Sequence, residues 1–274
     1  MPKGTRSVNE IAGQLRALGL AQGDVLMVHA SLRKLGPVEG GADGLVDAIR
    51  QAIGAEGTML MTLGARDDWA WVNDRPEVER PALLADAEPF DARSTPADPD
   101  VGVLAEVFRR RPETIVSDHP EGRFGAAGAR AADLVADVPW DDYYGAGSPL
   151  EGLVRLGGRI LRLGADPDTT TVLHYAEWLA PIASKRRVRR YRRVASAGEA
   201  EPRILMVETL DDSDGIVPYP EGQDYFADIL VAYLATGRAA TGAVGDVQSE
   251  LIDASDLVAF GVDWMTARFA TAEE

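Results

Sequence analysis

The chain has 274 residues, 46% of them hydrophobic and 26% charged, a composition that excludes a disordered or fibrous protein and suffices for an ample core. Its 28 lysines and arginines face 44 acids, and the formal charge of -16 disfavours nucleic acid and anionic lipid as partners. The absence of cysteine removes disulfides, thiolate metal ligands and a cysteine nucleophile.

The N-terminal MPKGTRSVNE lacks the apolar region of a secretory signal, and no apolar run reaches the ~18 residues of a membrane span, so a cytoplasmic protein is expected. Ser7 and Glu10 have the spacing of a capping box, which predicts a first helix from near residue 8 through IAGQLRALGL. DVLMVHASL reads as a buried strand, Val25 to Val28, running into a loop at His29 to Leu32. An amphipathic helix, ADGLVDAIRQAIG, follows and is stopped by Gly54, and GTMLMTLG gives a second strand. This alternation predicts a sheet largely covered by helices.

From Ala65 to Asp100 the periodicity fails in a run rich in Pro and Asp. Trp69, Trp71 and Phe90 argue for an ordered excursion lining a site rather than for disorder. Helices are predicted in VGVLAEVFRR and GARAADLVADV, with the turn SDHPEGRFG between them. The loop DDYYGAGSPL then enters a helix with Ser148 as N-cap and Pro149 at its first position. Arg159 to Leu163 reads as a strand, followed by a turn and the helix of TTTVLHYAEWLA. KRRVRRYRR, Lys185 to Arg193, carries seven cations and no acid, leaving 21 cations against 44 acids elsewhere, or -23. A solvated strand or helix surface is the general expectation for such a run, and a phosphate-binding patch is the sharper alternative. RILMVETL is a further strand, before the acidic turn LDDSDG and the helices YFADILVAYLATG and ASDLVAFGVDWMTARF. With no internal repeat or linker, the reading is one α/β domain over residues 1–274, a central mixed β-sheet flanked by helices, with a long loop insertion at about 65–100.

Chemistry is suggested most by TTTVLHYAEWLA, residues 169–180, which holds one of only three histidines. At about 100° per residue Glu177 lies within about 40° of Leu173, among apolar side chains, with His174 one turn away. An unpaired buried carboxylate costs roughly several kcal/mol, so Glu177 needs a fixed donor. A carboxylate accepting from one imidazole nitrogen fixes the tautomer and raises the basicity of the other, as a general base requires. An ordinary structural pair has the same spacing, and the pattern alone leaves both open. Thr169 to Thr171 offer hydroxyls and amides to an anion or a developing oxyanion. His29, His119 and His174 have no short-spaced partner ligands, so no metal is expected. Ser31 lacks a GxSxG elbow and Ser117 merely neighbours a histidine, which argues against a serine nucleophile.

Taken in order, VHASLRKLG, GGADGLVDAI, GTMLM, PFDARS before GVLAEVFRR, SDHP, YYGAGSPL, LRLGADPDTTTVLHYAE and FGVDWMTARF resemble the aminoglycoside 3-N-acetyltransferases, the antibiotic-acetylating family whose fold is unrelated to the GNAT acetyltransferases. The resemblance runs from about Val8 to Phe269. It implies transfer of an acetyl group from acetyl-CoA to the 3-amino group of a 2-deoxystreptamine aminoglycoside, conferring antibiotic resistance, without a metal. It carries His174 over as general base and Glu177 as its orienting acceptor. His29, Ala30, Ser31 and Leu32, with Ser117 and Thr170, are carried over as CoA contacts. A cationic acceptor would be held by carboxylates, for which Asp67, Asp68, Asp74, Asp142 and Asp224 are candidates together with Tyr143. Trp69 or Trp71 would stack on a sugar or close the loop's own small core. The run after Pro120 departs from the family's small-residue pattern, and His119 is read as structural or CoA-adjacent. The implied partners are the aminoglycoside and acetyl-CoA, with neither nucleic acid nor membrane, in a monomer or homodimer. The alternatives are CoA-dependent acylation of a different amine metabolite and a non-catalytic polycation-binding protein.

Overall fold

The computed structural model describes residues 4–195 and 201–270. In chain order the helices are α1 (Val8–Leu18), α2 (Leu32–Leu35), α3 (Gly41–Ile53), α4 (Arg80–Leu83), α5 (Val103–Arg110), α6 (Ala131–Val135), α7 (Pro149–Arg155), α8 (Leu173–Leu179), α9 (Tyr225–Ala235) and α10 (Ala254–Phe269). The strands are β1 (Val25–Ala30), β2 (Thr58–Thr62), β3 (Ile115–Val116), β4 (Phe124–Gly128), β5 (Arg159–Leu163), β6 (Arg187–Val194), β7 (Arg203–Leu210), β8 (Ala240–Val244) and β9 (Val247–Asp253). Seven of them form a mixed sheet in the order β3-β4-β2-β1-β5-β9-β8, and β6 and β7 form a separate hairpin. The α/β reading with a central mixed sheet holds.

Strand alternation explains the layers. Val25 and Met27 of β1 point to the face covered by α6 to α10, whereas Leu26 and Val28 point to the face covered by α1, α3 and α5. Both faces are therefore apolar, and the short strands read as continuous hydrophobic runs. Helix α1 begins as its capping box predicts: the Glu10 amide donates to Ser7 Oγ at 3.2 Å and the Ser7 amide to Glu10 Oε2 at 2.6 Å. Ser148 caps α7 by accepting from the Glu151 amide at 3.2 Å, with Pro149 at the first helical position. No helix among the described residues is long and apolar enough to cross a membrane.

Several boundaries differ from the sequence reading. His29 and Ala30 are not loop residues but extend β1, because they pair in parallel register with Arg162 and Leu163 of β5. Leu32 opens the short helix α2. FGAAG, which lacks β-branched side chains, is the strand β4 and delays the next helix to Ala131. The hairpin β8–β9 was not expected at all: its outer strand ATGAV, made of small residues and a glycine, carries little hydrophobic signal, and pairing with β5 defines it. The basic run is a solvated strand surface only in part, with Arg187 and Arg189 exposed. It forms β6, in which Arg192 is buried and Arg190 nearly so.

The excursion at 65–100 is ordered by two small apolar clusters, Ala65, Phe90 and Val194 in one and Val72, Leu84 and Ala87 in the other. Backbone bonds from Phe90 N to Arg193 O at 2.7 Å and from Ala195 N to Phe90 O at 2.8 Å fasten it to the end of β6. The buried Arg123 guanidinium donates to the carbonyls of Gly64, Ala92 and Pro96 at 3.3, 2.5 and 3.3 Å, pinning both ends of the excursion to β4.

Strands β1, β2 and β5 are mutually parallel and end together at Ala30, Thr62 and Leu163. Ligand sites of such sheets lie outside the carboxyl ends of the strands, and here the excursion and the turn before α8 leave from that edge. Helix α8 is seated against α10, where a Cβ on Gly261 would fall 2.9 Å from Leu173 Cδ2 and 3.1 Å from Ala176 Cβ. Gly261→Val is expected to destabilise the protein by about 1–3 kcal/mol through overpacking against α8. Chemical denaturation checks this; unchanged stability would refute the tight seating.

Candidate active site

Helix α8 presents His174 and Glu177 one turn apart, and the His174 Nδ1–H donates to Glu177 Oε2 at 2.7 Å. The Glu177 side chain is 1% exposed and that of His174 17%. The second carboxylate oxygen, Oε1, accepts from the Tyr225 hydroxyl. Tyr144 stacks on the His174 ring at 4.7 Å and 8°, and Phe226 meets it edge-on at 4.7 Å. The imidazole is thus packed by two rings, one of them stacked on its face, and held at one nitrogen. With Nδ1 carrying the donated proton, the neutral ring keeps its lone pair on Nε2.

Burial disfavours the imidazolium, but the charge of Glu177 and its hydrogen bond, helped by Asp212 and Asp224, outweigh that cost and raise the His174 pKa above 6.5. The other two histidines move in the opposite direction. Burial, with Arg162 nearby, lowers His29 to about 3. Burial lowers His119 to about 4, against the influence of the Trp140 carbonyl and Asp141. His119 Nε2–H donates to Trp140 O at 2.8 Å, and its Nδ1 accepts from the Gly122 and Glu121 amides at 2.6 and 3.2 Å. Both ring nitrogens are committed to backbone, which gives His119 a structural place and leaves it no base to offer.

Two openings flank the pair. His174 lines a cavity of about 320 Å³ with Asp168, Asp212, Asp214, Asp224 and Glu221. Beyond Tyr144 and Asp212 lies a cleft of about 1190 Å³ whose charged lining is Asp67, Asp74, Glu77, Asp98, Asp100, Glu121, Glu208, Asp211, Asp212 and Asp214, with Arg80, Arg187, Arg189, Arg190 and Arg192. The arginines of β6 face these acids in pairs: Arg192 with Asp67 and Glu121, each at 3.2 Å, Arg190 with Asp212 at 2.5 Å, and Arg189 with Glu208 at 2.7 Å. Ten carboxylates against five guanidiniums leave the cleft acidic. A cation entering it gains from the summed field of fixed charges.

The predicted residues fall into place unevenly. Asp67 and Asp74 line the cleft, and Asp74 is in no ion pair among the described residues. Asp68 points away, paired with Arg66 at 3.0 Å with its side chain 69% exposed. Asp142 adjoins the pocket beside Tyr144 and His174 and pairs with Arg187 at 2.9 Å. Tyr143 is buried and its hydroxyl donates to Asp212 Oδ2 at 2.6 Å. Asp224 caps α9, accepting from the Ala227 amide at 2.9 Å, and lines the smaller cavity. Trp71 lines the cleft while Trp69 packs on the loop's own cluster, the two rings 6.0 Å apart.

His29, Ala30, Ser31, Leu32, Ser117 and Thr170 gather at the carboxyl edge of the parallel strands. The Ser31 amide donates to Leu163 O at 3.0 Å and its hydroxyl accepts from Lys34 N at 3.4 Å. Ser117 is buried and accepts from Phe124 N at 2.8 Å. Thr170 is also buried, accepting from Arg162 at 2.7 Å and donating to Pro167 O at 3.0 Å. Tyr144, Asp212, Tyr225 and Arg190 are the residues at the site that the sequence did not single out. The acidic turn LDDSDG was visible, but its contact with α8 spans the fold and leaves no local signal.

A sequence model of the aminoglycoside 3-N-acetyltransferases matches residues 27–266. The aminoglycoside N(3)-acetyltransferase VII of Streptomyces paromomycinus is 39% identical over 260 residues, covering 93% of this chain and 90% of the relative. Among solved structures, AAC-IIIb as a binary complex with CoASH superposes with a TM-score of 0.90 at 37% identity, over 99% of this chain and 100% of the other. Sisomicin-bound AAC-VIa superposes with a TM-score of 0.89 at 37% identity, over 97% and 100%.

Because its pKa is raised on folding, His174 contributes stability that is fully present below 6.5 and is lost as pH rises through the folded value. Glu177→Gln removes the principal opposing charge, so His174 is expected to titrate at lower pH than in the wild type, and the pH dependence of stability above 6.5 should flatten. NMR titration of the imidazole reads the shift directly, and an unchanged or higher His174 midpoint in the variant would refute this account of the pair.

Proposed function

The chain belongs to the aminoglycoside 3-N-acetyltransferase family, and on that premise we propose that it transfers the acetyl group of acetyl-CoA to the 3-amino group of a 2-deoxystreptamine aminoglycoside, with His174 as general base oriented by Glu177. The observation that carries this reading is the 2.7 Å bond from His174 Nδ1 to Glu177 Oε2 beside acid-lined cavities. Relatives of this fold are known bound to CoASH and to sisomicin, which supports a thioester donor and an aminoglycoside acceptor. Acetylation would reduce the acceptor's charge and confer antibiotic resistance.

An ammonium group is not a nucleophile, so the acceptor must lose a proton before its nitrogen attacks the thioester carbonyl. That first proton leaves to solvent, and as the neutral amine attacks, His174 Nε2 takes a second proton from its nitrogen while Glu177 stabilises the imidazolium through Nδ1–H. The new C–N bond forms, the C–S bond breaks on collapse of the tetrahedral intermediate, and the imidazolium can return the proton to the departing thiolate. Direct attack is favoured over an acyl-enzyme because there is no cysteine and Ser31 and Ser117 already accept backbone hydrogen bonds.

The turn before α8 supplies the oxyanion donor. The hydroxyls of Thr169 and Thr170 are spent on the Asp166 and Pro167 carbonyls. Thr171 Oγ1 instead accepts from Thr62 Oγ1 at 3.5 Å, at the edge of the cleft, which leaves its proton free to donate. His29, Ala30, Ser31, Leu32, Ser117 and Thr170 shape the donor end, and Asp67, Asp74, Asp142 and Asp224 supply the field that holds the polycation, with Tyr143 fixing Asp212.

His174→Ala is expected to lower kcat by about 10²- to 10⁴-fold while the circular dichroism spectrum stays native. Release of free thiol from acetyl-CoA in the presence of an aminoglycoside measures the rate, and NMR of the product locates the acetylated nitrogen. Wild-type turnover in the variant, or acetylation at another position, would overturn the respective half of the proposal.

A further inference from the structure

We propose that Tyr225 is a positioning residue for this reaction: its hydroxyl holds Glu177 in the orientation that His174 requires and fastens the pair to the acidic turn at 211–216. The inference rests on His174 being the general base.

Glu177 is 1% exposed, and each of its oxygens has one donor, His174 on Oε2 and the Tyr225 hydroxyl on Oε1. The phenol proton is committed to that direction, because the Tyr225 oxygen itself accepts from the Ile216 amide at 3.0 Å. The ring cannot swing away. Tyr219, Phe226 and Phe269 meet it edge-on at 5.5, 5.2 and 5.6 Å, and Gly215 lies so close that a Cβ there would sit 2.7 Å from Cε1. Gly215 has a φ of +77°, which other residues rarely adopt, so the turn can press its backbone onto the ring.

The same turn carries Asp212 and Asp214, which line both openings beside the catalytic pair. Asp211 closes it by accepting from the Ser213 and Asp214 amides at 3.1 and 3.0 Å. A continuous path therefore runs from the acids that would meet the acceptor, through Ile216 N and the Tyr225 hydroxyl, to Glu177 and His174. A purely packing tyrosine would need only some acceptor for its proton. This one uses the carboxylate that orients the base, so the charge it draws toward Oε1 is charge withheld from His174.

Burial, and then Glu177, hold the Tyr225 phenol far above its ordinary range, and it stays a donor at every working pH. The charged groups facing the pair are Asp142, Asp212, Asp224 and Lys185, with Asp168, Asp214 and Glu221 around the smaller cavity. Neither variant below alters any of them.

Tyr225→Phe keeps the ring and deletes the tie. Turnover is expected to fall about 10-fold, in the range seen when an outer partner of a functional side chain is removed, and the acid limb of the kcat/KM profile should move to higher pH as Glu177 turns its full charge on His174. Placing 3-fluorotyrosine at position 225 makes a stronger donor and should move that limb to lower pH. Opposite shifts support the proposal; a limb fixed in both proteins overturns it, whatever happens to stability or kcat. If the phenylalanine variant does not fold, the fluorinated protein, which keeps the hydroxyl, decides alone. Full turnover in His174→Ala would sink the general-base reading itself, whereas an inactive His174→Ala with wild-type profiles at both Tyr225 variants sinks only this inference.

Discussion

A carboxylate at 1% exposure must find a donor for each oxygen, and at Glu177 this requirement organises the surroundings of α8. Removing one partner of a buried charged pair typically costs about 3–5 kcal/mol, so neither His174 nor Tyr225 is free to adopt another rotamer. What fixes His174 is therefore the same thing that makes the buried acid tolerable. Tyr144 and Phe226 complete the restraint by closing on the imidazole from its sides. The sheet contributes indirectly, since α8 can sit at the carboxyl edge of the parallel strands only because α10 offers it the flat surface at Gly261.

Electrostatics in the cleft follow a related logic on a larger scale. Isolated carboxylates facing one another would repel and reorient, whereas β6 places an arginine against several of them. Arg190 shows the balance. Burial opposes its charge, yet Asp212 and Tyr143 more than compensate, so the guanidinium stays charged and holds Asp212 beside His174. Asp212 in turn keeps its carboxyl below the ordinary range despite burial, through Arg190 and His174. Such pairing preserves the geometry of the negative sites and still leaves an excess of acid along the walls.

How much of this the sequence displayed depends on the range of each contact. The α1 capping box, the Ser148–Pro149 start of α7 and the His174–Glu177 pair are local, within four residues, and each was legible from spacing alone. The strand FGAAG and the hairpin 240–253 were not, because their register comes from partners far away in the chain and their side chains carry no clear period. The basic run misled for the same reason. Charge density pointed to solvent, while the antiparallel partner β7 and the excursion at 65–100 turn several of its arginines onto acids, Arg192 onto Asp67 among them. The ordered excursion itself was legible through its aromatic residues, Phe90 above all, which anchors it to Val194.

The position of Tyr225 carries the argument one step further. It opens α9, packs through its ring on Phe269 at the end of α10, and reaches Glu177 on α8, so three helices meet at one phenol. A site assembled from one helix would be exposed to the fraying of that helix; α8 spans only Leu173–Leu179 and cannot hold its own side chains steadily. Tertiary contacts must supply the rigidity that so short a helix lacks. The contacts that do so are Gly261 beneath Leu173 and Ala176 and the Tyr225 hydroxyl on Glu177, and the acidic turn at 211–216 touches the second of them through the Ile216 amide. In this fold the order of His174 and the order of the acids that face the cavity are linked through the Tyr225 hydroxyl.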